Sequence, residues 1–336
     1  MANWYTDTGF QSDIVLSTRV RLARNLSDIP FPCKMSDEDA QNVIDKVASS
    51  LDATNLEFLR TDILSVSPIE REKLVEQHFI SPNLARQKKP SAVFVSADNS
   101  VSIMVNEEDH IRMQAIFAGF ECRKAFEIVS SLDECMAKNL EYAVHEKYGY
   151  LTSCLTNVGT GIRISFMMHL PAICKFRLAD KLFSALGKLG VTVRGMYGEG
   201  SKASGYLFQI SNQMTLGVNE KEITERLNDV VNQLITKERE LRLALLKQEG
   251  LSVEDKIMRS LGILKHSRLM SSKEMLNLFS NVRLGMSLGL ITDISPSDLN
   301  ALMVQTSPAH LSQDADSPLE RDATRAKMIR EKLSQI

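Results

Sequence analysis

Between Ile162 and Leu170 the chain alternates: Ile162, Ile164, Phe166, Met168 and Leu170 fall on one parity, and Arg163, Ser165 and His169 on the other. A helix would scatter those residues around its circumference, whereas a strand sets each parity class on one face of a sheet. The strand predicted here has one face for a core and one that carries charge. The same division recurs twice. Leu16, Val20 and Leu22 oppose Arg19 and Arg21, and Val191 and Val193 face away from Arg194. A fold for this chain must therefore give a cationic sheet face something to do.

The chain has 336 residues, 43% hydrophobic and 24% charged, which fits a globular protein long enough for two domains. No apolar run approaches the roughly 18 residues that would span a bilayer, and Met1 to Phe10 carry no basic segment followed by an apolar one. The expectation is a cytoplasmic protein with no membrane contact. Cys33, Cys122, Cys135, Cys154 and Cys174 are odd in number and form no CxxC pair, so neither a disulfide framework nor a metal site is indicated. Net charge is −2 and the isoelectric point near 6.3, so no global field favours direct nucleic-acid binding. Any anion site must be local.

Up to about Gly217, strand patterns mix with helical ones. Val101, Ile103 and Val105 alternate up to the charged run Asn106-Glu107-Glu108-Asp109-His110-Ile111-Arg112. That run is read either as a site at a strand end or as a solvated turn before a helix with an acidic first turn. Helices are predicted from about Ile111 to Lys147, in one or two pieces, and from about Ala179 to Leu189. After Gly217 strand signals almost vanish. Asn219 with Glu222 reads as a capping box, with Ile223, Leu227, Val230, Leu234, Leu241 and Leu245 as the apolar stripe of the helix it opens. Further helix starts are predicted at Ser252, Ser271 and Ser295, and the polar segment from Ser307 to Pro318 as a loop before a final helix. The boundary is placed near residue 241, which gives domains of 1–241 and 242–336.

Neither a GxxxxGK[ST] loop nor a GxGxxG fingerprint is present, so phosphate must be held in some other way. Guanidinium groups offer rigid donor forks and stay charged, which makes Arg19, Arg21, Arg112, Arg163 and Arg194 candidates for a nucleoside triphosphate. A guanidinium acceptor would need carboxylates both to grip it and to draw off a proton before it can attack phosphorus. Glu108 is one candidate. Glu199, in the glycine-rich stretch after Arg194, is a second, and the glycines at 195, 198, 200 and 205 suit a flap over the nucleotide. Cys154, ahead of Gly159-Thr160-Gly161, is read either as a thiolate that orients a cationic substrate or as buried filler.

Together these motifs resemble the phosphagen kinase superfamily, the ATP:guanidino phosphotransferases. The likeness runs through Ser17-Thr18-Arg19-Val20-Arg21, Asn106 to Arg112, Cys154 to Gly159, Gly161-Ile162-Arg163, and Arg194-Gly195 through Glu199. The fold it implies is α+β: a phosphagen-kinase-like catalytic domain with an antiparallel sheet flanked by helices, then an all-helical C-terminal domain. It implies ATP, with magnesium, bound by Ser17, Thr18, Arg19, Val20, Arg21, His78, Arg112, Arg163, Ile164, Ser165, Phe166, Met167, Arg194, Gly195, Met196, Tyr197, Gly198 and Glu199. The catalytic set it implies is Glu108, Glu199, Asp109 and Cys154, with Glu108 and Glu199 on the acceptor guanidinium and Asp109, beside Glu107 and His110, in a supporting place. Magnesium is expected to take most of its ligands from nucleotide and water.

Within that superfamily the pattern is similar to the bacterial protein-arginine kinases. Only 16 residues precede Ser17, where small-molecule members carry a helical domain of about 100, and a helical part follows the catalytic region instead. Phe208-Gln209-Ile210-Ser211-Asn212-Gln213 and Asp13-Ile14-Val15-Leu16 strengthen the match. Arg321-Asp322-Ala323-Thr324-Arg325-Ala326 is similar to that group's RDxxRA motif, which implies an allosteric phosphoarginine pocket of Arg321, Asp322, Arg325 and Ala326. On a helix Arg321 and Arg325 share a face, as two forks for a phosphate. One departure is Leu155, where the family usually has a turn-stiffening proline.

The expected function is transfer of the ATP γ-phosphoryl group to exposed arginine side chains of proteins. The resemblance implies a homodimer, products marked for a Clp protease and its ATPase, an activating adaptor and a heat-shock repressor. Two alternatives remain: a kinase for free arginine, and a phosphoarginine-binding adaptor with an inactive kinase site.

Overall fold

The computed structural model describes residues 3–195, 204–312 and 317–334. Its frame is an eight-stranded antiparallel sheet. The strands are β1 (Val15–Arg24), β2 (Phe58–Asp62), β3 (Ala92–Ser96), β4 (Val101–Val105), β5 (Ile111–Ala118), β8 (Ile162–His169), β9 (Val191–Gly195) and β10 (Leu207–Asn212). A two-stranded hairpin, β6 (Val144–His145) and β7 (Gly149–Tyr150), stands apart. The order across the sheet is β2-β3-β4-β5-β1-β8-β10-β9, so the first strand in sequence lies at its centre, paired with β5 and β8.

The alternation read from Ile162 onward is the reason this sheet has two unlike faces. Val20, Leu22, Ile103, Met113, Ala115, Ile162, Ile164, Phe166 and Ile210 point to one side and form a single buried cluster. Helices cover that side. They include α1 (Asp37–Leu51), opened by the Ser36–Asp39 capping box, and α4 (Cys122–Met136). Three short helices occupy loops: α2 (Pro68–Glu76), α3 (Pro82–Ala85) and α5 (Pro171–Lys175). Next to the edge strand β9 runs α6 (Ala179–Lys188).

The helical continuation is α7 (Glu220–His266), α8 (Ser272–Ser287), α9 (Pro296–Gln305), α10 (Pro308–Leu311) and α11 (Pro318–Ser334). α7 begins at the Asn219–Glu222 capping box, and its stripe Ile223, Leu227, Val231, Leu234 and Leu241 closes the sheet's core. From Leu245 the same helix enters a second cluster with α8, α9 and α11, and its backbone leaves helical geometry at Glu249. That second cluster also holds Trp4, Tyr5, Leu16, Ile116, Met167 and Leu207, so the C-terminal helices pack on one end of the sheet.

Three sequence expectations are corrected. Ile111–Ala118 is a strand, and the helix predicted over 111–147 is confined to Cys122–Met136. Ile111, Met113, Ala115 and Phe117 alternate, but Ile111, Ala115 and Cys122 also fit a helical stripe, and the sheet vacancy beside β1 decides the matter. The charged run therefore turns between two strands and does not open a helix. Ser252 lies inside α7, where Val253, Ile257 and Leu264 carry the buried stripe onward. The segment from Ser307 to Pro318 contains the short helix α10 and is not loop throughout.

Candidate active site

Register alone assembles the cationic face. Arg21 on β1 stands opposite Gln114 on β5 and Arg163 on β8, Arg19 opposite Ser165, and Ala23 opposite Arg112. On the far side Arg194 of β9 pairs with Gln209, itself opposite Met167. Cross-strand partners share a face, so all five predicted arginines project from the same side of the sheet. At least two of them are anchored. Arg112 donates to Glu107 at 2.6 Å, and Arg163 to Ser211 at 3.1 Å. Among the described residues no hydrogen bond or ion pair reaches the Arg19 or Arg21 guanidinium, and Arg21 Nε is buried without a partner.

This is an expensive arrangement for a protein to hold. Burial, then the Arg112 and Arg163 charges, pushes Arg19 down to about 10. Arg21 is driven well below its ordinary value by burial and by Arg19, Arg112 and Arg163, against which Glu107 pulls only weakly. Guanidinium groups crowded together and desolvated without an anion are what a polyphosphate would relieve, at about 1.5–3 kcal/mol for each charge-assisted hydrogen bond.

The acidic run is divided by burial. Asn106 takes a left-handed backbone, φ 61°, and its amide donates to the carbonyls of Ala40 and Pro90. Glu107 is buried, and accepts from Ser81 at 2.5 Å as well as from Arg112. Burial alone would raise its carboxyl, but Arg112 and Ser81 outweigh that and hold it below the ordinary range. Asp109 is also buried, and its Oδ1 accepts from Asn25 and from the Ser153 backbone, both at 2.7 Å, which ties the Cys154 segment to the end of β1. His110 accepts at Nδ1 from the Leu26 backbone N–H, so Nε2 is the donor to the Pro30 carbonyl at 2.9 Å. Burial lowers its pKa and keeps it neutral.

Only Glu108 of the three acids is exposed. Partial desolvation, then Asp109 and Glu107, raises its pKa, with Arg112 and the neighbouring Cys154 acting the other way. Cys154 is half-buried, its Sγ 3.0 Å from Thr156 Oγ1, and it also acts on Arg163. It therefore stands between the exposed acid and the guanidinium face. The adjoining Leu155 is 87% exposed. Thr215 braces this turn from below, donating to the carbonyls of Thr156 and Val158. Gly161, φ 66°, is required where it stands, since a Cβ there would lie 2.6 Å from the Ala23 carbonyl and from Arg24 Nη1.

His78 lies near Arg19 and Arg21, and burial, then those charges, pushes it down to about 3. Ser165 and Met167 share the arginine face. Val20, Ile164 and Phe166, also expected among the nucleotide contacts, lie on the opposite face in the core. Ser17 and Thr18 are buried, and the Thr18 hydroxyl donates to the Gly119 carbonyl at 2.6 Å, so it ties the turn after β5. Met196, Tyr197, Gly198 and Glu199 fall outside the described residues. Of the two forks expected near the C-terminus, Arg325 is buried, donating to the carbonyls of Thr306 (2.9 Å) and Met270 (2.7 Å) and to Asp322. Arg321 is half-buried, and Ala326 is buried in the helical cluster.

Sequence reasoning missed Asn25, which holds both Asp109 and the His110 backbone N–H. Its one signal was its place at the end of the arginine-bearing strand. Ser81 and Trp4 were missed too, since nothing local marks a residue that reaches the site from another element.

Comparison with known proteins adds an independent line. Residues 39–241 match the family model described as ATP:guanido phosphotransferase, C-terminal catalytic domain, and residues 250–336 that of the protein-arginine kinase McsB C-terminal domain. Curated relatives include the protein-arginine kinase of Brevibacillus brevis, 46% identical over 100% of this chain and 96% of its own length. That of Halalkalibacterium halodurans is 46% identical over 98% of this chain and 94% of its own. Among solved structures, lombricine kinase superposes with a TM-score of 0.62 at 23% identity, covering 71% of each chain. The duplicated taurocyamine kinase of Schistosoma mansoni gives 0.62 at 24% identity, over 67% of this chain and 33% of its own.

Proposed function

The chain belongs to the protein-arginine kinases of the ATP:guanido phosphotransferase family, and from that premise we propose that it transfers the ATP γ-phosphoryl group to arginine side chains of proteins. The observation that carries the proposal is the pairing of two buried guanidinium groups, Arg19 and Arg21, that no anion reaches among the described residues, with one exposed acid of raised pKa beside their face.

ATP is the donor substrate. Arg19 and Arg21 would take up its phosphates directly, with Arg112, Arg163 and Arg194 completing the face and His78 neutral alongside. Magnesium would arrive with the nucleotide and supply charge neutralisation there. On the acceptor side Glu108 would hold the incoming guanidinium, and its raised pKa makes it a better proton acceptor than an ordinary surface carboxylate. As a guanidinium nitrogen bonds to the γ-phosphorus, the bond to the leaving ADP oxygen breaks and the proton passes to the Glu108 carboxylate. Cys154 would orient the acceptor, Asp109 would hold the Cys154 turn in register, and Glu199 is assigned the second carboxylate from the sequence.

On the sequence resemblance alone, the proposal extends to a homodimer, to a Clp protease that consumes marked products, and to an adaptor and a heat-shock repressor as partners. Arg321, Asp322, Arg325 and Ala326 are proposed on the same ground as a phosphoarginine pocket. None of the described helices is long and apolar enough to cross a membrane.

The test is to incubate the protein with magnesium and ATP and either free arginine or an arginine-rich unfolded protein, then measure acid-labile phosphate on each. Label on the unfolded protein supports the proposal. Turnover of free arginine alone overturns the substrate assignment, and turnover of neither overturns the activity. Glu108→Ala should abolish transfer and leave ATP affinity within about twofold, because the carboxylate acts on the acceptor; near wild-type turnover would remove it from the mechanism.

A further inference from the structure

His78 occupies a backbone position that ordinarily belongs to glycine. It follows α2, whose C-cap is Gln77, and has φ 67°. The His78 N–H bonds the Val75 carbonyl and the Phe79 N–H the Leu74 carbonyl, both at 2.9 Å, which is the hydrogen-bond signature of a helix end closed by a left-handed residue. A histidine there is strained by about 1 kcal/mol or more, and strain of this kind persists where the surroundings over-determine it.

Those surroundings come from the C-terminal helical region and the segment packed into it. Trp4, buried in the helical cluster, stacks on the His78 ring with centroids 4.8 Å apart and planes 12° from parallel. Its indole N–H donates to the Gln77 carbonyl at 3.1 Å. One residue earlier, Glu76 accepts from the backbone N–H groups of Ala309 (2.7 Å) and His310 (3.1 Å), and lies 2.6 Å from His310 Nδ1. From the other side, Gln114 on β5 donates to the His78 carbonyl at 2.6 Å, and Gln114 stands directly opposite Arg21. Glu76, Gln77 and His78 are thus gripped in turn by α10, by Trp4, and by the strand that carries Arg112.

We propose that Trp4, Glu76 and His310 are positioning residues through which the C-terminal helical region fixes His78, and with it the phosphate-binding side of the arginine face. This rests on the reading that the face binds ATP. None of the three need touch nucleotide. Their effect is preorganisation: an imidazole already stacked and held in place costs nothing to order when phosphate arrives. The same contacts give α10 and the Arg325-bonded Thr306 carbonyl, two residues before Pro308, a continuous path to the donor site.

The experiment uses the full chain and measures direct ATP affinity, the KM for ATP, the KM for an unfolded acceptor protein, and the thermal midpoint. Trp4→Leu and Glu76→Ala should each weaken ATP roughly tenfold, the scale of one lost oriented contact to a charged ligand, and leave the acceptor KM within about twofold. Trp4→Phe should restore most of the affinity, since a ring can still stack on the imidazole. Should Trp4→Leu fail to fold, Glu76→Gln and His310→Ala make the same comparison with a smaller disturbance. Equal changes in both KM values, or unchanged ATP affinity, would overturn the proposal, as would a Trp4→Phe variant no better than Trp4→Leu. Arg21→Ala is the control. If it too leaves ATP affinity unchanged, the donor-site reading itself has failed; if it weakens ATP while Trp4→Leu does not, only the positioning role is lost.

Discussion

Two adjacent stretches of β1 bury arginine in opposite ways. Arg24 is fully buried and fully engaged: it donates from Nε and Nη2 to Asp133, from Nη1 to the carbonyls of Ala23 and Thr160, and sits 3.5 Å over the Tyr150 ring. Arg21, three residues earlier, is 9% exposed and reaches no anion among the described residues. One guanidinium has been consumed by the fold and the other held back from it. A buried cation whose every nitrogen donates to a partner is part of the architecture, whereas one left unsatisfied next to others of its kind marks where a ligand will supply the missing charge.

That contrast can be broken most decisively at Arg24. Arg24→Ala strands a buried carboxylate on Asp133 and should cost about 3–5 kcal/mol of stability, read as a large fall in the denaturation midpoint with ATP affinity per folded molecule preserved. A stable variant would erase the distinction. Arg21→Ala should do the reverse. Its ATP affinity should fall by about 1.5–3 kcal/mol, roughly ten- to a hundredfold, while the midpoint without nucleotide stays level or rises, because a repelled cation has been removed. A variant that loses stability but not affinity would place Arg21 with Arg24.

The smallest effect concerns the acid across the site. The folded protein raises the pKa of Glu108, so ionisation disfavours the fold, and the penalty grows as pH rises from the ordinary carboxylate value through the raised one. Glu108→Gln should therefore gain a little in thermal midpoint at neutral pH and nothing at pH below the ordinary value. A gain at acid pH alone would reverse the sign of the shift.

How much of this was legible beforehand depended on whether a residue's neighbours are local. Parity gave the two-faced character of β1, β8 and β9, since a strand's faces are written in its own sequence, but a register shift between Val15 and Ser17 puts Leu16 with Ile116 and Met167 and not, as expected, with Val20 and Leu22. It was less decisive at Ile111–Ala118, where two periods fit the same apolar residues and only pairing with β1 and β4 selects the strand. The helix starts at Asn219 and Ser295 were readable because N-cap hydrogen bonds span three residues, and at Ser295 the structure adds a capping-box partner in Asp298. Ser252 has the same look, but its helix was already running and buried on both sides of it. In the site, the acids were visible as a cluster, yet their roles were set from afar, Glu107 by Ser81, Asp109 by Asn25, and His78 by Trp4. Chemistry-bearing residue types can be read along the chain; the partners that orient them cannot.

The central place of β1 has a consequence for how the molecule is made. Arg19 pairs with Ile116 on one side and Ser165 on the other, so both neighbours of this strand leave the ribosome long after it. Until they arrive, Val15 to Arg24 is an unpaired strand with two open edges and an apolar face. Contacts this distant in sequence make for slow folding. The arginines that later receive phosphate also keep the waiting strand charged, which discourages it from pairing with a copy of itself before its own partners exist.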